Sequence, residues 1–208
     1  MLISDTLLGA SLALISVIYG HIGAEVAAAN AIVNSVIQLV SVVNAGMAGA
    51  SAIVIGNTVG EGDIPRAKRE GNSYMLLSLL MGLVLIVPVL LLEGPYFSVY
   101  NIAQSTREMA HKMLLIICAC LPLQTNAYVS SKGVLRGGGD TRFILAADST
   151  LVWFVGLPLA ALTAFVWKTD PIIPFLILRL EYPLKGVVCL IRYATGKWVK
   201  VIGAKEGA

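Results

Sequence analysis

The side chains that could do chemistry in this sequence are those that interrupt long apolar runs. Asp5 stands early in the first run, Asn30, Asn34 and Gln38 recur every four residues in the second, and Gln124-Thr125-Asn126 sits in the fourth. Asp148 lies near the start of the fifth run, and Arg179, Glu181 and Lys185 lie within the last. A carboxylate in such a place can exchange a proton or hold a cation. Amides and hydroxyls can hydrogen-bond a substrate or an ion but have no proton to exchange at neutral pH. Because a charge inside hydrocarbon is costly, each ionisable group there marks either a pathway or an ion pair.

Other chemistries find no support in the sequence. It holds no nucleophile–base set, no metal-ligand spacing and no cofactor loop, and the Gly137-Gly138-Gly139 run is not followed by the Gly-Lys-Ser/Thr of a phosphate loop. Cys118, Cys120 and Cys189 all fall in apolar stretches and read as small core residues. The chain is therefore expected to be no enzyme and to carry no metal or cofactor.

The polar groups can be read one by one. Glu181 and Lys185 are spaced i, i+4, so they can pair along one helix face. Counted from Pro171, the Arg179–Lys185 stretch lies roughly 12–22 Å into the run, near mid-membrane. A structural ion pair is the expected reading, with a role in substrate or ion passage as its rival. Asp148, about one and a half turns into the fifth run, is expected to meet a cytoplasmic arginine. The Asn30, Asn34 and Gln38 stripe would be costly against lipid, so it faces protein or water and is the best candidate for a cavity wall. Gln124 and Asn126 are read either as wall residues or as interhelical hydrogen-bonders, and Pro122 is expected to kink their helix.

These residues are carried by elements that the composition defines. Hydrophobic residues make up 57% of the 208 and charged residues only 13%, about half the usual charged share of roughly 25%. Apolar runs of 18 or more residues signal helices that cross a bilayer. The expected fold is an all-α membrane protein, a six-transmembrane-helix bundle over 1–191, with spans at about 2–20, 26–58, 72–93, 112–131, 143–167 and 171–191. Residues 192–208 read as a basic cytoplasmic tail. The second span is too long for a straight crossing and holds Gly46, Gly49 and Gly56, so it is expected to tilt, bend or protrude. The first run lacks a basic leader and a small-residue cleavage site, and it reads as a retained span. Tyr96, Phe97, Tyr100, Trp153, Trp167 and Trp198 fall mostly near span ends, as interfacial anchors do.

Six spans place both termini on one side with the 59–71 and 132–142 loops. That side carries Arg66, Lys68, Arg69, Lys132, Arg136, Arg142, Arg192, Lys197, Lys200 and Lys205, against Arg107, Lys112 and Lys168 on the other. Ten cations against three predict cytoplasmic termini in the inner (plasma) membrane. The net charge of +3 is spread over loops and tail, with no one-sided basic face for nucleic acid.

An eight-residue pattern occurs twice. Gly56-Asn-Thr-Val-Gly60-Glu-Gly62-Asp63 and Gly133-Val-Leu-Arg136-Gly137-Gly-Gly139-Asp140 both read G-x-x-x-G-x-G-D, 77 residues apart and on the same expected side. Glycine can take the left-handed conformation that ends a helix, and the aspartate can cap the next one. The recurrence also implies a duplicated helix-pair plan, an internal symmetry common among transporters.

With their surroundings, these turns resemble the multidrug and toxic compound extrusion (MATE) family of efflux antiporters. Three segments carry the resemblance: Gly23-Ala-Glu-Val-Ala-Ala-Ala-Asn30 leading into Val59-Gly-Glu-Gly-Asp63, then Gly133–Arg142, then Arg192-Tyr-Ala-Thr-Gly-Lys-Trp198. The family fold is twelve helices in two six-helix lobes around a cavity, and this chain looks like the second lobe. The resemblance implies export of organic, often cationic, compounds in exchange for H⁺ or Na⁺. It also implies, as partner, a first six-helix lobe: missing sequence, a separate chain or a second copy. Because Met1 falls at or inside the first apolar run, a fragment, a truncated reading frame or a half-transporter is expected. An acid on the first helix of this lobe serves cation coupling in the family; Asp5 lies about one turn before that position. Coupling acids occur on the fourth helix in some members, where this sequence has only Gln124-Thr125-Asn126. Two rival readings are a lipid-linked oligosaccharide flippase of related fold and a non-transporting remnant or assembly subunit.

Overall fold

The structure is a computed structural model that describes residues 2–99, 103–167 and 169–199, with the side chains of 2–8, 12, 96 and 99 outside that description. The expectations for Asp5, Lys168, Lys200 and Lys205 therefore lie outside the described side chains.

The described residues form a sequence of helical rods that reverse direction at short turns. Helix α1 spans Leu2–Ile22, α2 Ala24–Gly60 and α3 Ile64–Val99. Helix α4 spans Gln104–Tyr128 and widens without a break into a π-helical stretch, Val129–Leu135. The fifth rod is composite: α5 over Thr141–Thr150, a π-stretch Leu151–Gly156, α6 over Leu157–Ala161 and a second π-stretch Leu162–Val166. Helix α7 spans Ile172–Ala194.

Among the described residues, four segments are long and apolar enough to cross a membrane: 24–60, 64–95, 104–135 and 141–166. Helix α7 has the length, but Arg179, Glu181 and Lys185 interrupt its apolar run.

Helix α2 stays α-helical through Gly46, Gly49 and Gly56, and at 37 residues it is about 55 Å long. Helix α3 starts eight residues before the expected span because its polar first turns are helical too, with Arg66 and Glu70 paired at i, i+4. Likewise α4 continues through Pro122, and the irregularity comes later, in the Val129–Leu135 π-stretch. Gly82 of α3 makes the room for Pro122: a Cβ there would sit 2.5 Å from the proline Cα.

The fourth rod is central, packed against α2, α3 and α7, and it is the most buried of the four candidate spans. Three apolar clusters run along the bundle. One, at the end opposite the glycine turns, joins Tyr19, Val33, Met113, Phe175 and Leu178. A second, at the glycine-turn end, joins Ile55, Ala67, Val134, Cys189 and Trp198. Leu114, Cys118, Leu121, Val40 and Val89 fill the middle. Large aliphatic side chains lie outside as well as inside: Leu76, Leu80, Leu83, Val84, Val87 and Leu91 of α3 are all exposed. Such a continuous exposed apolar surface requires an apolar surrounding.

Candidate functional site

The two repeated turns have the same backbone. After α2, Gly62 takes φ 82°, its N–H donates to Val59 O at 3.1 Å, and Asp63 N–H reaches back to Thr58 O at 3.2 Å. After the fourth rod, Gly139 takes φ 88°, its N–H donates to Arg136 O at 3.0 Å, and Asp140 N–H reaches Leu135 O at 3.1 Å. Both are Schellman endings with glycine at the left-handed position.

The aspartates that follow diverge. Asp63 caps the next helix, its Oδ1 accepting from Arg66 N–H at 3.0 Å. Asp140 departs from the capping expected of it. It makes no side-chain cap, and its Oδ2 accepts instead from Arg192 Nε at 2.6 Å. The reason is positional: Asp140 is fully buried against the end of α7, where a guanidinium is within reach and solvent is not.

Three earlier glycines of the repeats, Gly56, Gly133 and Gly137, do a different job, which the sequence reading missed. Gly133 and Gly137 lie against Ala48, Ser51 and Ala52 of α2 so closely that a Cβ on Gly137 would stand 2.9 Å from Ala52 O and 3.1 Å from Ala52 Cα. Gly56 in turn sits beside Gly137 O. The G-x-x-x-G spacing thus lets two backbones touch, and that spacing was the available signal.

The third resembling segment closes over the same place. Trp198, expected as an interfacial anchor, is fully buried, because glycine at 138 leaves a flat surface for the indole. Tyr193 stacks on Trp198 with centroids 5.1 Å apart, and its hydroxyl donates between Lys68 O (2.7 Å) and Asn72 Oδ1 (2.9 Å). Burial pushes the Tyr193 phenol up from its ordinary value, partly offset by Asn72. Residues 59–63 of the first segment and the other two segments therefore form one cluster at one end of the bundle, while residues 23–30 lie at the far end of α2, where Val26 and Ala29 join the opposite cluster. The described part of the segment read as a tail belongs to the cluster at the glycine-turn end.

A second cluster lies deeper. Lys185 of α7 is buried, and its Nζ is 2.6 Å from Asp148 Oδ1 on α5. Lys132, from the π-stretch of the fourth rod, donates to Asp148 Oδ2 at 2.8 Å. This corrects the expected Glu181–Lys185 pair. The lysine spans to another helix rather than lying along its own, because Asp148 offers it a carboxylate across the interface. Asp148 is thus a bridge among three rods, meeting two lysines where a cytoplasmic arginine was expected, and Lys132 stands on the π-stretch rather than in a loop, with its side chain still partly exposed. Glu181 has no ion-pair or hydrogen-bond partner among the described residues; its Oε2 lies toward Gly156, at the end of the first π-stretch of the fifth rod. Arg179 stacks over Phe175 at 4.9 Å.

The amides divide. Asn126 is buried and donates to Met75 O (2.9 Å) and Ser78 Oγ (3.0 Å), tying the fourth rod to α3. Gln124 is buried with its Oε1 unpartnered, as are Thr125 Oγ1 and Ser130 Oγ nearby in the chain. Asn30 and Asn34 are half-buried and Gln38 is exposed, and none bonds to another described side chain. The stripe and Gln124 keep free hydrogen-bonding groups; Asn126 does not.

Long apolar rods, a small-residue seam and charges held between them define a helical protein of the membrane class. The MatE family model matches residues 2–162. "Multidrug resistance protein MdtK" of Yersinia pseudotuberculosis is 30% identical over 125 residues, covering 60% of this chain and 26% of that protein. "Probable multidrug resistance protein NorM" of Deinococcus radiodurans is 29% identical over 162 residues, covering 76% and 36%. The protein of the same name from Photorhabdus laumondii is 25% identical over 159 residues, covering 75% and 34%. Among solved structures, a MOP superfamily transporter from Pyrococcus furiosus superposes with a TM-score of 0.84 at 15% identity, over 99% of this chain and 46% of that one. The chain belongs to the MATE family of multidrug efflux transporters. It spans between about a quarter and just over a third of the length of these curated relatives and just under half of the solved structure.

Proposed function

We propose that this chain forms one six-crossing lobe of a secondary transporter that exports organic, often cationic, compounds in exchange for H⁺ or Na⁺. The observation that carries this reading is the near-complete superposition of the chain on just under half of a transporter. The names of the relatives supply the multidrug substrate class, and the first lobe completes the cavity, whether as missing sequence, a separate chain or a second copy. The glycine-turn end faces the cytoplasm of the inner (plasma) membrane, as the ten-to-three cation bias favours.

Within the lobe, Glu181 is the coupling candidate, because it is the deep carboxylate that forms no ion pair within contact distance among the described residues, although Lys185 and Arg179 lie near enough to act on it. Asp148 is already shared by two lysines. The stripe of Asn30, Asn34 and Gln38, with Gln124, supplies uncharged hydrogen-bonding groups for the cavity wall. The flippase reading is less favoured, since the deep cations a pyrophosphate needs are engaged: Lys185 by Asp148 and Arg179 by the Phe175 ring.

The test is export of a cationic dye from liposomes under an imposed pH or Na⁺ gradient, with the chain alone and with a co-expressed first lobe. Gradient-driven export is expected with the completed pair. In that pair, Glu181→Gln is expected to retain dye binding but lose the gradient dependence. Absence of export from every combination would overturn the transporter reading.

A further inference from the structure

We infer that the groove between the end of α2 and the start of α3 binds one anionic phospholipid, phosphate above and acyl chain below. The groove has a volume of about 520 Å³ and is lined by Val54 of α2 and by Arg66, Arg69, Glu70, Ser73, Tyr74 and Leu77 of α3. The α3 residues follow i, i+3, i+4, i+7, i+8, i+11, so they make one helix face, basic at its start and aliphatic beyond.

The charges in it are not equivalent. Glu70 is saturated, its Oε1 accepting from Arg66 Nε at 2.9 Å and its Oε2 from Thr58 Oγ1 at 2.7 Å. Arg66 is further held by Glu61 at 3.5 Å. Arg69 is exposed and has no carboxylate within ion-pair distance among the described residues. It is the cation left for an outside anion, and guanidinium matches a phosphate bidentately. Ser73, one turn on, adds a hydroxyl; it bonds only to its own helix, at Arg69 O.

The other half of the ligand is read from what lies beyond. The same face continues through Leu77, Leu80 and Val84, which are 47%, 51% and 62% exposed. A free phosphate uses the basic end alone and leaves that ridge bare. An amphiphile uses both, and a basic pocket between membrane helices on the side favoured by cations is where anionic headgroups collect.

The experiment uses the full chain in a non-ionic detergent, titrated with phosphatidylglycerol or phosphatidylcholine and read by native mass spectrometry. One phosphatidylglycerol is expected to stay bound where phosphatidylcholine does not, and inorganic phosphate is expected not to displace it. Arg69→Gln is expected to weaken retention about tenfold, the loss of one charge-assisted contact. Leu80→Gln, which leaves the charges untouched, is expected to weaken it as well. Both variants are checked by gel filtration, and Ser73→Ala serves as a further probe if either fails to fold. Equal retention of the two lipids, or phosphatidylglycerol retention unchanged in Arg69→Gln, overturns the proposal. Displacement by inorganic phosphate reduces the site to a bare anion site and overturns the lipid assignment. None of these readouts depends on transport.

Discussion

The fate of Lys185 shows how a single residue's role depends on what its neighbours offer. An i, i+4 carboxylate was available at Glu181, yet the ammonium reaches 2.6 Å from Asp148 on another rod, where Lys132 converges too. Two cations on one carboxylate leave that carboxylate indispensable. Asp148→Asn is expected to lower stability by about 3 kcal/mol, because it strands the buried Lys185 ammonium, whereas the partly exposed Lys132 can turn to water. Thermal unfolding of the detergent-solubilised chain measures it. Adding Lys185→Met to Asp148→Asn is expected to recover part of the loss, since an apolar side chain there has no charge to strand. At this scale the sequence was half legible. It marked Asp148, Arg179, Glu181 and Lys185 but assigned Lys132 to a loop, and a partner across the bundle has no fixed spacing and cannot be counted off.

At the scale of elements, spacing along one chain sufficed. Helix endings at Gly62 and Gly139 follow from glycine's access to positive φ, and both repeats end their helices with the same hydrogen bonds. What the repeat hid was a division of labour, in which Gly56, Gly133 and Gly137 pack while Gly62 and Gly139 turn. Gly137→Ala tests the packing role, and Gly60→Ala, at the matching position of the first repeat, is its control. A methyl at 137 meets the α2 backbone at 2.9 Å, whereas at 60 nothing lies within 4 Å. Gly137→Ala is expected to destabilise the bundle by about 1–3 kcal/mol through overpacking. Gly60→Ala is expected to be neutral or slightly stabilising, as alanine is the better helix former. Comparing unfolding midpoints of the two variants decides it. Element lengths were misjudged where hydrophobicity was the guide: α3 begins in polar sequence, and its first turns are helical through local pairing rather than apolar burial.

For the whole molecule, the apolar runs, their order and the family likeness were all readable from composition and motif. The convergence of three distant segments was not. Of the resembling segments, residues 23–30 stay at one end of the bundle, while residues 59–63, 133–142 and 192–198 meet only through folding, at the other. Their shared location has a practical consequence, which rests on Trp198 lying flat on Gly138. With Trp153 and Trp167 replaced by phenylalanine, this indole becomes an intrinsic optical gauge. Its emission should be blue-shifted while the two helix pairs stay closed, and should move to the red when water enters between them. Gly138→Ala, whose methyl would stand 2.2 Å from the ring, should leave the gauge permanently red. A spectrum that stays blue in that variant would mean the indole is kept dry by something other than this seat.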